Sequence, residues 1–228
     1  MCFSATASFA TGAIVAPSGL YGLRLALNYN RKYVLITLFV LVLAAQQIIE
    51  GFVWLALHDG NYTQAVGLGK LFLFFSHFFW PVAVPVTACA MEEDKRKRGL
   101  FFLASIGAFV FASFFYFPLL IGEGKVSVEI SQRSVYYITN ILYDAFVPRE
   151  VPGAVYSSFV AFPLVFSSNE NLRHFGWTIV VAFIPAFFIY YYAFTSVWCF
   201  FAAIVSLYIV YMVMKATVVG RKHGEAAS

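Results

Sequence analysis

Residues 35–57 read LITLFVLVLAAQQIIEGFVWLAL, an apolar stretch interrupted near its end by two amides and one acid. Its length suits a transmembrane helix, which needs about 20 apolar residues to cross the hydrocarbon core of a bilayer. The acid is Glu50, with Gln46 and Gln47 one turn before it and Trp54 one turn after it. A carboxyl group at that depth costs a few kcal/mol to insert. Glu50 therefore needs a partner, a water-filled cavity or a proton, and it is the most informative residue of the chain.

The composition extends this interpretation to all 228 residues. Hydrophobic residues make up 61% of the chain and charged residues only 11%. A soluble domain is about 25% charged, so these charges are too few to cover a soluble surface. We expect one all-α polytopic membrane domain over residues 1–228, with the lipid bilayer as its partner. The net charge of +4 is divided among short clusters between apolar runs, which does not favour nucleic-acid binding.

Seven apolar runs predict seven transmembrane helices. Their boundaries are about 5–27, 33–58, 65–90, 99–121, 151–168, 175–193 and 196–216. The last two runs together are too long for one span, and we interpret YYYAFTS, residues 190–196, as the turn between them.

The distribution of lysine and arginine predicts the orientation. If the N-terminus is outside, most of the 15 basic residues fall on the opposite side of the membrane, and the outer loops receive only Lys125, Arg133 and Arg149. Basic loops are retained in the cytoplasm. We therefore expect an outside N-terminus, a cytoplasmic C-terminus and a multi-pass protein of the cell inner membrane. The charged run 92–98, EEDKRKR, is interpreted as a solvated cytoplasmic loop.

One outer loop is expected to be substantial, at about 123–150. Within it, VSVEIS at 126–131 and SVYYIT at 134–139 alternate apolar and polar residues. This alternation predicts a short β-hairpin over the outer mouth of the bundle. The pattern fits either a lid or a packed connector, and the packed connector is the preferred interpretation.

The third span carries candidate partners for Glu50. Lys70, Phe74, His77 and Pro81 follow a spacing of three to four residues and share a helix face. Gln47, Glu50 and Trp54 do so on the second span, and a short loop joins the two spans as antiparallel neighbours. At about 1.5 Å of rise per residue, these two faces overlap in depth. We therefore predict a polar pocket between the first three helices, in the outer half of the membrane. Its predicted ligand- or proton-binding residues are Glu50, His77, Gln47, Gln46, Trp54 and Lys70.

Three stretches are distinctive in combination: MCFSATASF at 1–9, QQIIEGFVWL at 46–55 and FSHFFWPV at 75–82. Together they resemble a family of bacterial multispan membrane proteins of unknown activity. The resemblance covers mainly the first 90 residues and implies a bacterial inner-membrane setting. It directs attention to Cys2, Ser4, Glu50 and His77, which stand inside these motifs.

The sequence leaves three classes of function open. The preferred one is a transporter, channel or ion-coupled carrier that handles a small ligand or ion through Glu50 and His77. The second is an intramembrane enzyme in which His77 and Glu50 act with an outer Ser or Cys. A metal-assisted hydrolase of this kind would use His77, Glu50 and Cys2 as ligands. The third is a sensor or an accessory subunit of a membrane complex. The sequence specifies no cofactor.

Overall fold

The computed structural model describes residues 4–122, 125–131, 134–140, 150–189 and 194–225. Within these ranges the regular elements are helices and one β-hairpin. The α-helices are α1 (Ala5–Tyr29), α2 (Val34–His58), α3 (Tyr62–Leu73), α4 (Trp80–Met91), α5 (Lys95–Ile121), α6 (Glu150–Val165), α7 (Glu170–Ile189), α8 (Phe194–Val205) and α9 (Leu207–Glu225). A 3-10 turn (Arg31–Tyr33) precedes α2, and a π-helical turn (Phe74–Phe79) joins α3 to α4. The strands are β1 (Val126–Ser131) and β2 (Ser134–Thr139).

Four helical stretches are long and apolar enough to cross a membrane. They are Arg31–His58, Tyr62–Met91, Lys95–Ile121 and Phe194–Val218. The second of them combines α3, the π-helical turn and α4, and the fourth combines α8 with most of α9. A further helix, Val151–Val165, is apolar but shorter. A helical membrane protein is thereby supported, while the seven-span arrangement and the orientation of the termini stay predictions.

Capping side chains fix where several helices begin. The Ser4 hydroxyl accepts a hydrogen bond from Ala7 N at 3.2 Å, and Asp94 Oδ1 accepts bonds from the next helix at 2.8 and 2.9 Å. The first N–H groups of a helix have no partner within the helix, so such caps stabilise its start. Ser4, which the family resemblance singled out, therefore has a structural role at the start of α1.

Close contact between α1 and α2 depends on glycine. A Cβ atom at Gly12 would lie 2.7 Å from the Ile48 side chain and 3.2 Å from the backbone oxygen of Ala44. A Cβ atom at Gly51 would lie 2.7 Å from the Phe9 ring. These contacts also set the register of the antiparallel pair, because residue 12 lies opposite residue 48 and residue 9 opposite residue 51. Small residues at helix contacts are the usual means of packing helices in lipid.

The hairpin packs against α3 and is not a free lid. The strands pair antiparallel with Val128 opposite Tyr137, and both side chains are buried. The Tyr137 ring stacks on Phe72 with centroids 4.7 Å apart, and Val128 fills the space left by Gly69. The arrangement fits the packed connector. Residues 123–124, 132–133 and 141–149 of the predicted outer loop, and 190–193 of the predicted turn, lie outside the described ranges.

Candidate functional site

Glu50 lies inside the helical bundle and faces no lipid. Its side chain is fully buried, as are those of Gln46 and Gln47. Gln47 Nε2 donates a hydrogen bond to Glu50 Oε2 at 3.4 Å. Ser196, on α8, lies beside the carboxyl group. Glu50 Oε1 has no partner that meets the geometry of a hydrogen bond. The acid is thus held by weak polar contacts and retains an oxygen for a further interaction.

No basic side chain neutralises this carboxyl group. In the part of the chain that the structure describes, the one salt bridge joins Lys32 and Glu93, at the end of the bundle opposite the hairpin. No lysine, arginine or histidine among the described residues has a nitrogen within 4.0 Å of a Glu50 oxygen. A buried charge ordinarily has a partner or a bound ion. The site therefore relies on a proton or a bound species for charge balance.

Gln46 holds three helices together on the neighbouring face of α2. Its Oε1 accepts a hydrogen bond from Trp80 Nε1 at 2.8 Å, and its Nε2 donates to Cys199 Sγ at 3.1 Å. All three side chains are buried. Because a buried indole N–H needs a partner, this contact orients α4 toward α2. Gln46 was predicted to bind a ligand, but both its amide oxygen and its amide nitrogen are used in contacts with other helices.

The predicted contact between Glu50 and His77 is not formed. His77 Nδ1 lies 2.9 Å from Ser76 Oγ, and its ring lies 6.1 Å from that of Phe115 on α5. The buried stripe of this span passes through Gly69, Ser76 and Trp80. His77 follows Ser76 by one residue and so points about a quarter of a turn away. The expectation that the two polar faces meet is wrong, because burying Trp80 against Gln46 sets the helix rotation.

A backbone irregularity accompanies this rotation. Trp80 N donates to Phe75 O, five residues back, which makes the turn π-helical. Pro81 follows directly and has no N–H to donate to the carbonyl of His77. Wide turns of this kind are often found at functional sites.

Lys70 also faces away from Glu50. Its Nζ donates to the backbone oxygen of Leu120 at 3.4 Å, near the C-terminal end of α5. Its own backbone oxygen accepts a hydrogen bond from Tyr116 OH at 3.3 Å. A cation is favourable at a helix C-terminus, where carbonyl groups lack partners. The structure places Lys70 as a tie between α3 and α5 and not in the Glu50 pocket.

Trp54 lies on the same side of α2 as Glu50, one turn nearer the C-terminal end of the helix. Only 3% of it is exposed, and its Nε1 has no hydrogen-bond partner. Its backbone oxygen lies 2.8 Å from His58 Nδ1. The indole N–H is therefore a further polar group of α2 without a hydrogen-bond partner, one turn from the acid.

Ser8 is a further candidate site residue, which the sequence did not predict. Its side chain is fully buried, and its Oγ has no partner. It lies one turn before Gly12 on the α1 face that packs on α2, at the level of Glu50 and Gly51 by the helix-pair register. A polar residue on a glycine-lined helix face is the signal that could have identified it. Its place at the level of Glu50 depends on the register of α1 against α2, which the sequence does not give.

A cavity of about 40 Å³ lies beyond Gln46, on the side away from α1. It exceeds the roughly 10–15 Å³ that one water molecule needs. Its lining is almost entirely apolar and comes from α2, α4, α6, α7 and α8: Phe39, Leu43, Trp80, Val84, Tyr156, Val160, Leu164, Phe175, Ile179, Trp198, Cys199 and Ala202. Cys199 links this cavity to the Gln46 network.

The structure describes only two of the three predicted metal ligands. Among the described residues no group of three or more His, Cys, Asp and Glu side chains is placed to hold a metal ion. Glu50 and His77 lie apart, and Cys2 lies outside the described residues.

Glu92 is a second buried acid, which the sequence analysis placed in a solvated loop. Only 3% of it is exposed. Its carboxylate accepts hydrogen bonds from Glu93 N, Asp94 N, Ser167 Oγ and Ser168 N at 2.8–3.1 Å. Burial acts to raise the pKa of Glu92, but these hydrogen bonds outweigh it and hold the pKa below its ordinary value. Glu92 thereby joins the α4–α5 loop to the α6–α7 loop.

Comparison with known proteins identifies a family but no activity. No curated protein and no solved structure is significantly similar to the chain. The family match extends far beyond the first 90 residues that carry the motif resemblance, since it includes the hairpin and the helices that follow it. The chain belongs to a family of unknown function, DUF6629, whose model matches residues 1–224.

Proposed function

We propose that this protein is a multi-pass protein of the bacterial inner membrane that takes up a small ion or small polar ligand at the Glu50 pocket, as a transporter or channel does. The observation that carries this proposal is the Glu50 carboxyl group, which is fully buried without a basic partner among the described residues. An acid that served only to join helices would be expected to have a partner for each oxygen.

Three neighbours of Glu50 support a binding role. Gln47 contacts one carboxyl oxygen and Ser196 lies beside the group, so α2 and α8 both contribute polar atoms. Gln46 fixes the spacing between the helices through Trp80 and Cys199. A site built on packed helices keeps its geometry better than one on loops.

The remaining parts of the proposal concern the membrane. Seven spans would place the basic loops in the cytoplasm. The hairpin, which packs on α3, would then lie on the outer side. Glu50, about two turns from the end of α2 at His58, would lie in the outer half of the bilayer.

Flux measurements in proteoliposomes test the proposal. Vesicles that enclose a pH-sensitive dye are given a pulse of NaCl or KCl under a set membrane potential, and the internal pH and ion content are followed. We expect the wild type to exceed protein-free vesicles and Glu50→Gln to match them. Glu129→Gln, the same chemical change on an exposed hairpin position, is the control. Equal flux for wild type and Glu50→Gln would contradict the proposal.

A specific observation favours an enzyme as the second candidate. Ser76 Oγ lies 2.9 Å from His77 Nδ1, and a hydroxyl beside an imidazole is the core of a nucleophile–base pair. No acidic group among the described residues orients His77, so the pair is incomplete. Covalent labelling by a serine-reactive fluorophosphonate that is lost in Ser76→Ala would support this candidate, and absence of labelling would reject it.

A further inference from the structure

We infer that the Glu50 pocket is a binding site for a monovalent alkali cation, held between α1 and α2 by oxygen atoms of Glu50, Gln47 and Ser8. This inference rests on the proposed function, because it names the ligand of the same pocket. It also adds a residue of α1, Ser8, that the pocket did not include on sequence grounds.

Three buried oxygen atoms carry the inference. Glu50 Oε1, Gln47 Oε1 and Ser8 Oγ are each shielded from solvent and each lack a hydrogen-bond partner. Buried polar atoms in native proteins nearly always have a partner, and an exception calls for an explanation such as a bound water or ion. One carboxylate, one amide carbonyl and one hydroxyl are hard oxygen ligands, the type that alkali and alkaline-earth cations prefer.

The packing brings these atoms to one level of the bundle. Gln47 and Glu50 are one turn apart on α2, and their side chains touch. The contacts of Gly12 with Ile48 and of Gly51 with Phe9 place the first turns of α1 against residues 48–51. Ser8 belongs to the same buried face of α1 as Gly12. The glycines keep the two helices close enough for oxygen atoms from both to approach one ion.

Charge selects a monovalent ion. The pocket offers one carboxylate, and none of the described basic residues forms an ion pair with it. An ion of charge +1 makes the site neutral, whereas a divalent ion would leave an uncompensated positive charge in a medium of low dielectric constant. A proton would neutralise Glu50 and supply one O–H donor, which can serve only one further oxygen atom, Gln47 Oε1 or Ser8 Oγ. A cation engages all three oxygen atoms, so it accounts for more of the arrangement than a proton does.

Thermal unfolding of the purified full-length protein in detergent tests the inference. The midpoint is measured as NaCl or KCl replaces choline chloride at constant ionic strength. A ligand that binds only the folded state raises the midpoint as its concentration passes the dissociation constant. We expect this rise in the wild type with at least one of the two salts and no rise in Glu50→Gln. A rise that persists in Glu50→Gln, or no rise in the wild type, would overturn the cation site.

Ser8→Ala makes the test independent of whether Glu50→Gln folds. It removes one oxygen ligand and should raise the half-saturating concentration about tenfold, equivalent to about 1.4 kcal/mol. Ser18→Ala is the matched control, because the Ser18 hydroxyl bonds to Ile14 O within its own helix. Equal half-saturation in Ser8→Ala and Ser18→Ala would overturn the assignment of Ser8. A larger shift with CaCl2 or MgCl2 than with either alkali salt would overturn the choice of a monovalent ion.

The two proposals fail in different ways. If salt leaves the unfolding midpoint unchanged but proton flux in proteoliposomes still requires Glu50, the cation inference falls and the proposed function stands. If neither depends on Glu50, both fall.

Discussion

Two buried glutamates at different places in the bundle differ in how completely they are bonded. Glu92, at the basic end, accepts four hydrogen bonds from two loops. Glu50, in the half nearer the hairpin, accepts one long bond from Gln47 and has Ser196 beside it, and its Oε1 has no partner that meets hydrogen-bond geometry. A fully bonded acid holds a structure together, because removing it leaves several donors unsatisfied. An incompletely bonded acid is suited to exchange partners. From this comparison we expect Glu92 to serve stability and Glu50 to serve function.

The largest expected effect is on activity. Glu50→Gln keeps the size of the side chain and removes its charge, so ion flux in proteoliposomes should fall to the level of protein-free vesicles. The unfolding midpoint in choline chloride should stay equal to that of the wild type or rise, since burying a neutral amide avoids the cost of a buried charge. If Glu50→Gln has a lower unfolding midpoint than the wild type and still carries ions, Glu50 serves stability and the proposed contrast with Glu92 is wrong.

Removing the other acid should damage stability instead. Glu92→Ala leaves four donors without their acceptor, and we expect it to lower the free energy of unfolding by about 2–4 kcal/mol. Glu93→Ala is the control, because the Glu93 side chain is 82% exposed in its salt bridge with Lys32 and such pairs contribute little. Chemical unfolding in detergent measures both. Glu92→Ala protein that remains folded should still carry ions.

Filling the close contact between α1 and α2 with a larger side chain should have an intermediate effect on stability. Gly12→Ala places a methyl group 2.7 Å from the Ile48 side chain and 3.2 Å from a backbone oxygen, which should cost about 1–3 kcal/mol. Gly67→Ala on α3 meets nothing within 4 Å and should be neutral or stabilising, because alanine favours helix. Thermal unfolding compares the two. If the cation site lies between α1 and α2, Gly12→Ala should also weaken the response to NaCl or KCl.

A pH dependence should distinguish the two acids with a smaller effect. The pKa of folded Glu92 lies below its ordinary value of 4.5. Glu92 therefore contributes stability that is complete above about pH 4.5 and is lost as the pH falls through the folded pKa. As the pH falls below about 4.5, the free energy of unfolding of the wild type should decrease by more than that of Glu92→Gln. Parallel unfolding curves for the two proteins across that range would contradict the assignment.

The smallest effect is expected at His77. His77→Gln changes a half-buried side chain that contacts Ser76 and Phe115, so ion flux and the salt response should stay close to those of the wild type. If His77→Gln loses as much ion flux as Glu50→Gln, His77 and Glu50 act together in one site.

The sequence predicted the local features of this protein well. Apolar runs locate the helices because lipid and length constrain them directly. Alternation at 126–131 and 134–139 located the two strands, since that period is a local property. The burial of Glu50 followed from its place in an apolar run.

The residues whose surroundings the sequence did not predict are positioned by contacts between segments that are distant in sequence. The face that holds His77 could not be chosen without knowing that Trp80 needs the Gln46 oxygen. Glu92 looked solvated because its partners Ser167 and Ser168 lie about 75 positions away in sequence. Ser8 required the register of α1 against α2. Each of these is a tertiary property that helical spacing alone does not contain.

The wide turn at Phe74–Phe79 makes one continuous span serve two different neighbours. Above it, Gly69 and Phe72 meet the hairpin, and below it Trp80 meets Gln46. Because a π-helical turn holds about one more residue than an α-helical turn, deleting a single phenylalanine there would restore ordinary pitch. Because the wide turn fits its extra residue into one turn, the two halves would keep their faces after this deletion. A residue inserted elsewhere in the span would instead rotate the lower half by about 100° relative to the upper half and carry the indole away from its amide partner. The wide turn therefore lets the span hold one extra residue and still contact both neighbours.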